Sequence, residues 1–378
     1  MTTFVDAADE LLEKLCEGID LQSSYEEFRK IQRTLLDTWG AQEIPQVPAY
    51  RSCIGDDHSP FEYSIAFGAQ RTELRLLVEV QGSSPGATPN QEAALRLNTR
   101  LAQSFDASFE RFEQIKPLFL PQAPNPPFSL WHAACLEKDG HHDFKVYLNP
   151  HAQGPERANE LVAAALEQLG MSDASRAVAK ILNHPGLNST PNYFSLDLSD
   201  APGARVKVYF QHADASAQQL DEIFELSPQH RAGDVVEFCR AVVGADGPFR
   251  AKPVTSCFSF VEGRAEPIAA TFHMPIAHYV PNDAVTVERV TRYLASQGID
   301  PAPYVGAMRA FAMRALEDGA GIQSYASFRR ESSGIRFTAY LSPELFREQD
   351  RPSELRLKTS VPPSRAPGFT EASCAGHT

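Results

Sequence analysis

The chain has 378 residues, which is enough for two average domains or for one large barrel with a sizeable core. Its 43% hydrophobic and 22% charged residues are typical of a globular protein, and its formal net charge of −13 argues against nucleic acid or an anionic membrane surface as the main partner. No apolar run is as long as a membrane span, and residues 1–15 lack the pattern of a signal peptide, so we expect a cytoplasmic location. The six cysteines have no C-x-x-C spacing, which is typical of reduced structural thiols.

Two helices followed by two strands form a pattern that occurs five times along the chain. The predicted helices span residues 5–16, 25–38, 88 to about 118 (two helices), 155–170, 173–183, 216–226, 231–243, 283–297 and 302–317. The predicted strands span residues 61–68, 73–80, 127–139, 142–150, 191–199, 204–212, 254–263, 267–275, 322–330 and 334–343. Thr88, Pro89 and Gln91 have the spacing of a capping box and predict that the third helix begins there. After about residue 354 the periodicity is lost, so we expect one domain over residues 1–353 and a disordered tail over 354–378.

Consecutive strand hairpins, each preceded by amphipathic helices, predict an α+β fold. Ten strands can bury both faces of their sheet if it closes into an antiparallel β-barrel, built from five ααββ repeats and ringed by the helices. A barrel of ten strands is wider than an eight-stranded barrel that side chains can fill. We therefore expect a lumen that holds ligands.

The predicted strand over residues 204–210 indicates what the lumen would contain. Arg205, Lys207 and Tyr209 share one face of this strand, and apolar residues occupy the other. For this strand alone, a polar face in water is the simpler interpretation. However, the second strand of each repeat has such a face, and these faces hold Arg75; Lys145 and Tyr147; Arg205, Lys207 and Tyr209; Thr271 and His273; and Arg336, Thr338 and Tyr340. In a chain of net charge −13, this repetition favours an interior face over a solvated one.

Cations gathered inside a barrel are costly unless an anion neutralises them, and a diphosphate is the natural candidate. The chain has no P-loop, no G-x-G-x-x-G and no D-D-x-x-D motif, and Asp56–Asp57 is interpreted as a turn. The G-x-S-x-G match at residues 82–86 is also interpreted as a turn, because Pro85 lacks the N–H that an oxyanion hole requires. We therefore expect direct neutralisation by side chains, with no metal and no cofactor.

Glu62 shares its strand face with Ser64 and Ala66 and is predicted to point into the cationic lumen. Two interpretations remain open. Glu62 either pairs with Arg75 across the hairpin or accepts the N–H of an aromatic substrate, which would raise electron density in the ring.

The ααββ units, the FEYS strand with its Glu, and the strands FKVYLNP, RVKVYF and FTAYLSP, with the missing metal motif, carry a family resemblance. Over about residues 5–345 the chain resembles the dimethylallyltryptophan synthase family of indole prenyltransferases, and T-F-H-M-P and L-W-H resemble its bacterial branch. The resemblance implies a barrel in which dimethylallyl diphosphate ionises and the indole of L-tryptophan attacks the allyl cation.

The resemblance also implies roles for individual residues. The diphosphate ligands would be Arg75, Lys145, Arg205 and Lys207, with Thr271 and His273 where fungal members carry Gln and Tyr. The shield of the allyl cation would be Tyr147, Tyr209 and Tyr340. Glu62 would hold the indole N–H, and His132 falls near the family's second proton acceptor. The expected aromatic acceptor pocket comprises Trp131, Tyr193 and Tyr325.

Other functions remain possible at this stage. A barrel that only stores or carries an anionic molecule would need the cations but not a placed Glu62. Within the enzyme interpretation, the acceptor could also be a tryptophan-containing cyclic peptide, a diketopiperazine or a phenol.

Overall fold

The structure is a computed structural model that describes residues 2–68, 72–124 and 127–347. The predicted tail over 354–378, and the boundary at 353, lie outside the described residues. The division of the chain into one domain and a tail therefore stays a prediction.

Ten antiparallel strands close into one barrel within the described residues, as the sequence predicts. The strands are β1 (Phe61–Phe67), β2 (Thr72–Val78), β3 (Leu130–Glu137), β4 (His142–Leu148), β5 (Asn188–Asp197), β6 (Val206–Ala213), β7 (Val254–Phe260), β8 (Ala269–Met274), β9 (Gln323–Glu331) and β10 (Gly334–Leu341). Each strand pairs with its neighbours in the sequence, and β1 pairs with β10 to close the sheet. Because the sheet is closed, the backbone N–H and C=O groups of β1 and β10 bond to each other, and neither strand is an exposed edge.

Two helices precede each hairpin. They are α1 (Phe4–Gly18), α2 (Tyr25–Leu36), α3 (Ala87–Phe105), α4 (Glu110–Phe119), α5 (Ala158–Gln168), α6 (Ala174–Leu182), α7 (Ala217–Phe224), α8 (Asp234–Val242), α9 (Asp283–Ser296) and α10 (Ala302–Phe311). Among these described helices, none is long and apolar enough to cross a membrane.

Several predicted helix boundaries differ from the structure by a few residues, and two of these differences have an identifiable cause. Helix α3 begins at Ala87 with Gly86 as its N-cap, so Thr88 makes no capping box. Instead, the Asn90 side chain accepts hydrogen bonds from the backbone N–H groups of Gly82 and Gly86, at 2.9 and 3.2 Å, and fixes the turn before the helix. The last helix ends at Phe311, not at 317, because Arg314 leaves the helix to bind Asp283 and Glu344.

The main core lies between the outer face of the barrel and the helices. Alternate strand residues such as Phe61, Ile65 and Leu76 are buried there against helical side chains. The first and last repeats meet where α1 approaches α10, and a Cβ added at Gly306 would lie 2.4 Å from the carbonyl oxygen of Gly18. Glycine is therefore required at this contact, which closes the helical ring behind the β1–β10 seam.

Candidate active site in the barrel lumen

Side chains of one type form layers inside the barrel, because the even-numbered strands all run in the same direction. Their inward residues come in a fixed order along each strand. Arg75, Lys145 and Lys207 lie in one layer, and Tyr147, Tyr209, His273 and Tyr340 lie two residues further on. The cavity has about 980 Å³ of space, including its opening. Its wall includes all ten residues predicted as Glu62, the diphosphate ligands and the cation shield.

The layer at one end, which we call the cation end, contains acidic residues as well as cations. Glu73 contacts Arg75 through one oxygen and accepts a 2.7 Å hydrogen bond from Arg336 through the other. Asp197 accepts a 2.6 Å hydrogen bond from Nε of Arg205. The lumen cations, for which the sequence predicts neutralisation by a bound anion, are therefore partly neutralised by the protein itself.

The charges at the cation end shift each other's pKa values. Burial opposes ionisation of Glu73, but Arg75 and Arg336 hold the pKa of its carboxyl well below its usual range. The pKa of Asp197 falls to about 2, because Lys145 and Arg205 outweigh its burial. Burial, helped by the charges of Lys145 and Arg205, lowers the pKa of Lys207 to about 7. Lys207 therefore titrates near neutral pH.

An aromatic belt of Tyr147, Tyr209, His273 and Tyr340 lies above the cation end. Neighbouring rings in the belt have centroids 5.7–5.8 Å apart. Burial, with the charges of Lys207 and Arg75, lowers the pKa of His273 to about 3, so its ring is neutral. Its Nε2 has no hydrogen-bond partner among the described residues, which leaves it free to bind a ligand. His273 thus combines an aromatic face with a neutral polar group.

Glu62 lies at the opposite end of the lumen, which we call the Glu62 end. The hydroxyl of Ser324 donates a 2.7 Å hydrogen bond to Oε2 of Glu62, while Arg75 pairs with Glu73. The interpretation that Glu62 pairs with Arg75 is therefore wrong. Burial raises the pKa of Glu62 to about 8, although the Ser324 hydroxyl and Lys252 oppose the shift.

The predicted acceptor-pocket residues form two groups. Trp131 and Tyr193 lie in one aromatic cluster, with ring centroids 5.4 Å apart and Phe128 stacked on Trp131 at 4.0 Å. Tyr325 lies apart from this cluster and faces Tyr340 of the aromatic belt at 6.2 Å. The structure thus places aromatic surface on two sides of the Glu62 end.

His132 does not lie at the lumen, which corrects the sequence-based expectation. It pairs with Val78 and Val146, whose side chains face the helices, and its Nε2 is 2.6 Å from Oδ1 of Asn98 on α3. It is fully buried, and burial lowers the pKa of its ring to about 3. His132 is therefore a neutral residue of the outer core.

Sequence reasoning missed several residues of the lumen. Glu73 shares a strand face with Arg75, and Asp197 shares one with Tyr193 and Ser195, so the alternation that identified Arg75 could have identified both acidic residues. Glu79, which follows β2 and does not line the cavity wall, is a further buried carboxyl, and burial raises its pKa to about 7 against the effects of Ser52 and Trp131. Nζ of Lys145 donates a 2.7 Å hydrogen bond to Sγ of Cys135. No sequence motif predicts this pair.

Taken together, the closed barrel, the cation end, the aromatic belt and the buried carboxylate define a prenyltransferase of the aromatic type. The chain belongs to the tryptophan dimethylallyltransferase family, whose family model, described as Tryptophan dimethylallyltransferase, matches residues 11–305. It is therefore an enzyme that transfers prenyl groups, and the predicted family and fold are confirmed.

Solved structures and a curated protein show how similar the chain is to known members. The 6-dimethylallyltryptophan synthase from Micromonospora olivasterospora, in complex with DMASPP and Trp, is 31% identical with a TM-score of 0.85, and the match covers 92% of this chain and 99% of that one. The 5-dimethylallyl tryptophan synthase from Streptomyces coelicolor, in complex with the same two molecules, is 27% identical with a TM-score of 0.83 over 93% and 97% of the two chains. Prenyltransferase anuH from Penicillium roqueforti is 24% identical over 353 residues, covering 79% of this chain and 78% of that protein.

Proposed function

We propose that this enzyme moves a dimethylallyl group from dimethylallyl diphosphate to the indole ring of L-tryptophan, without a metal ion. The observation that carries the proposal is the order of the layers, in which cations, aromatic rings and a buried carboxylate follow one another along the lumen. This order matches a substrate pair with a diphosphate at one end and an N–H at the other. The DMASPP and Trp in the two similar synthases support it.

The donor occupies the cation end in this proposal. The diphosphate ligands are Arg75, Lys145, Arg205 and Lys207, with Thr271 and His273 as neutral donors. Their preorganised charge stabilises the leaving diphosphate, which takes the electron pair of the breaking C–O bond. The allyl carbons then lie in the aromatic belt, whose rings stabilise positive charge and exclude the water that would quench it.

The acceptor occupies the Glu62 end. In its ionised form, Glu62 accepts a hydrogen bond from the indole N–H, holds the ring against the allyl cation and raises its electron density. Because burial raises the pKa of Glu62 to about 8, the population of this form grows as the pH rises above 7. A ring carbon then attacks the cation, and the proton of that carbon leaves to a base. We propose Glu62 as that base, since His132 faces the outer core.

The test is to incubate the purified protein with L-tryptophan and dimethylallyl diphosphate in the presence of EDTA. We expect a product heavier by one C5H8 in the mass spectrum. Binding of the diphosphate without turnover of tryptophan, cyclic dipeptides or phenols would instead support a carrier. Turnover that requires added Mg²⁺ would overturn the metal-independent part of the proposal.

We also propose a cytoplasmic location. The described cysteines, Cys16, Cys53, Cys135, Cys239 and Cys257, are all free thiols, which suits a reducing compartment.

A further inference from the structure

Three ionisable side chains from distant parts of the sequence meet at the Glu62 end. Oδ1 of Asp56 accepts a 2.6 Å hydrogen bond from Nζ of Lys252, and its Oδ2 lies 2.7 Å from Nε2 of His278. Asp56 is in the loop before β1, Lys252 is in the loop before β7, and His278 follows β8. We call these three residues the charged trio.

The charged trio reaches the lumen through Tyr325. Nζ of Lys252 lies 5.0 Å from the centroid of the Tyr325 ring, which in turn faces Tyr340. The register of β9 and β10 shifts beside Tyr340, so Ser324 forms a bulge. A bulge turns neighbouring side chains toward the same side. Ser324 therefore binds Glu62 while Tyr325 contacts Lys252, and Glu62 and the trio share one strand segment.

The trio is held in place but remains open to a ligand. The Tyr279 hydroxyl accepts from the backbone N–H of Lys252 at 3.1 Å and donates to its carbonyl at 2.5 Å, which fixes the loop. The adjacent Asp57 accepts hydrogen bonds from the backbone N–H groups of Ser59 and Phe346 and fixes the other loop. The side chains of Lys252 and Asp56 are 26% and 54% exposed. A ligand at the Glu62 end can thus reach both charges.

We propose that the charged trio binds the main-chain charges of an amino-acid acceptor, with Lys252 taking the α-carboxylate and Asp56 the α-ammonium. The inference rests on the proposed function, because Glu62 must hold the indole N–H for the amino-acid end to lie at the trio. A zwitterion adds one charge of each sign and leaves the net charge of the site unchanged, so neither Lys252 nor Asp56 is left unpaired. The geometry thus selects a free amino acid over a cyclic dipeptide, which has neither charge.

The charge states of the trio are those that a zwitterion requires. Burial disfavours the ammonium of Lys252, but Tyr325 and Asp56 raise its pKa above its usual value. Burial likewise opposes ionisation of Asp56, yet His278 and Lys252 hold its pKa well below the usual range. Both groups therefore remain charged at neutral pH.

The experiment compares four indoles that carry different charges: L-tryptophan, indole-3-propionate with only the carboxylate, tryptamine with only the ammonium, and indole. Steady-state kinetics are measured for the wild type, Lys252→Met, Lys252→Arg and Asp56→Asn. For Lys252→Met we expect KM to rise about 10- to 100-fold for tryptophan and indole-3-propionate, the range for one charge-assisted hydrogen bond, with no change for tryptamine and indole. Asp56→Asn should raise KM for tryptophan and tryptamine only. Lys252→Arg should restore most of the tryptophan affinity.

Lys138→Met is the matched control, because it breaks an exposed Lys138–Asp20 pair of 2.8 Å in the turn between β3 and β4, at the barrel end opposite the loops that carry the trio. It should leave every KM unchanged. An equal rise of KM for all four indoles in Lys252→Met, or of KM for the donor, would overturn the inference and leave the proposed function standing. If the wild type prenylates none of the four indoles, the proposed function itself fails. A wild type that uses cyclic dipeptides better than tryptophan would also overturn the inference.

Discussion

Glu73 and Glu62 lie on adjacent strands of the same barrel wall, yet their carboxyl groups have opposite properties. Two guanidinium groups surround Glu73, and the pKa of its carboxyl lies far below the usual value. Glu62 is bonded to a neutral hydroxyl, and burial raises its pKa to about 8. Both side chains are almost fully buried, so burial alone does not decide the charge. The neighbours decide it.

The comparison separates two uses of a buried carboxylate. At the cation end, Glu73 and Asp197 are counter-ions that lower the free-energy cost of a buried cluster of cations before the donor binds. At the Glu62 end, the carboxyl has no cationic hydrogen-bond partner among the described residues, so it can exchange a proton or accept a hydrogen bond from a substrate N–H. A substitution should therefore have opposite consequences at the two ends.

The largest expected effect is at the Glu62 end. Glu62→Gln should lower kcat by about 10²–10⁴-fold, the usual range for a positioned acid or base, with KM for the donor within about twofold. Steady-state kinetics with L-tryptophan check this. Glu113→Gln, which alters an exposed carboxylate on α4, is the control. If Glu62→Gln had the kcat of the wild type, Glu62 would have no catalytic role, and the contrast between the two ends would be contradicted.

Loss of one cation should weaken diphosphate binding. We expect Arg75→Met to raise the Kd of inorganic pyrophosphate about 10- to 100-fold, since one charge-assisted hydrogen bond is lost and Glu73 loses a partner. Calorimetry measures this directly. The exposed Arg176, paired with Asp173 on the protein surface, offers a matched Arg→Met control. Unchanged affinity would mean that the diphosphate binds elsewhere.

Loss of a counter-ion should have the opposite sign. Glu73→Gln should lower the Kd of pyrophosphate by roughly tenfold, because the anion no longer competes with a carboxylate for Arg75 and Arg336. If Glu73 instead served to orient the two guanidinium groups for the ligand, the Kd would rise. The sign of the change thus decides between the two roles.

The smallest expected effect concerns the proton of Lys207. Its pKa of about 7 is set by burial and the charges of Lys145 and Arg205, and Cys257 and Asp197 also face it. Diphosphate favours the ammonium, so affinity should fall as pH rises above 7, by roughly fivefold between pH 7 and 8, and binding should take up a proton. Calorimetry in buffers of different ionisation enthalpy measures the uptake. Lys207→Arg has no titrating group, so an equal pH dependence in both proteins would contradict the assignment.

The barrel and the inward face of each strand were predictable because alternation has a period of two and is repeated in every unit. Arg205, Lys207 and Tyr209 share one face in sequence and in structure. The same rule shows why His132 was misplaced. A position adjacent to an inward residue faces outward, and Trp131 already occupies the inward position.

The charged trio and the bulge could not be predicted. Asp56 and Lys252 are 196 residues apart, and only barrel closure brings their loops together. The bulge at Ser324 adds one residue to β9 and changes which side chains face inward, although nothing in the segment IQSYASFRR breaks the alternation. The alternation of residues within a strand therefore predicts which side chains form the barrel wall, but it does not predict which loops come into contact.

The seam between β1 and β10 brings the first and last described parts of the chain together. The rings of Phe4 and Phe346 have centroids 6.4 Å apart, so in a variant that ends at Phe346 a short peptide could join this residue to the start of α1. The turn at Asp139–Gly140, between β3 and β4, lies at the surface and is a suitable place for new termini. In a circular permutant that starts at Gly140, the chain between β3 and β4 is cut and the new linker joins the end of the chain to its start. All other connections between strands stay as they are, so we expect all ten strand pairings to be kept. The order of the repeats along the chain can thus change while the order of the layers along the lumen stays the same.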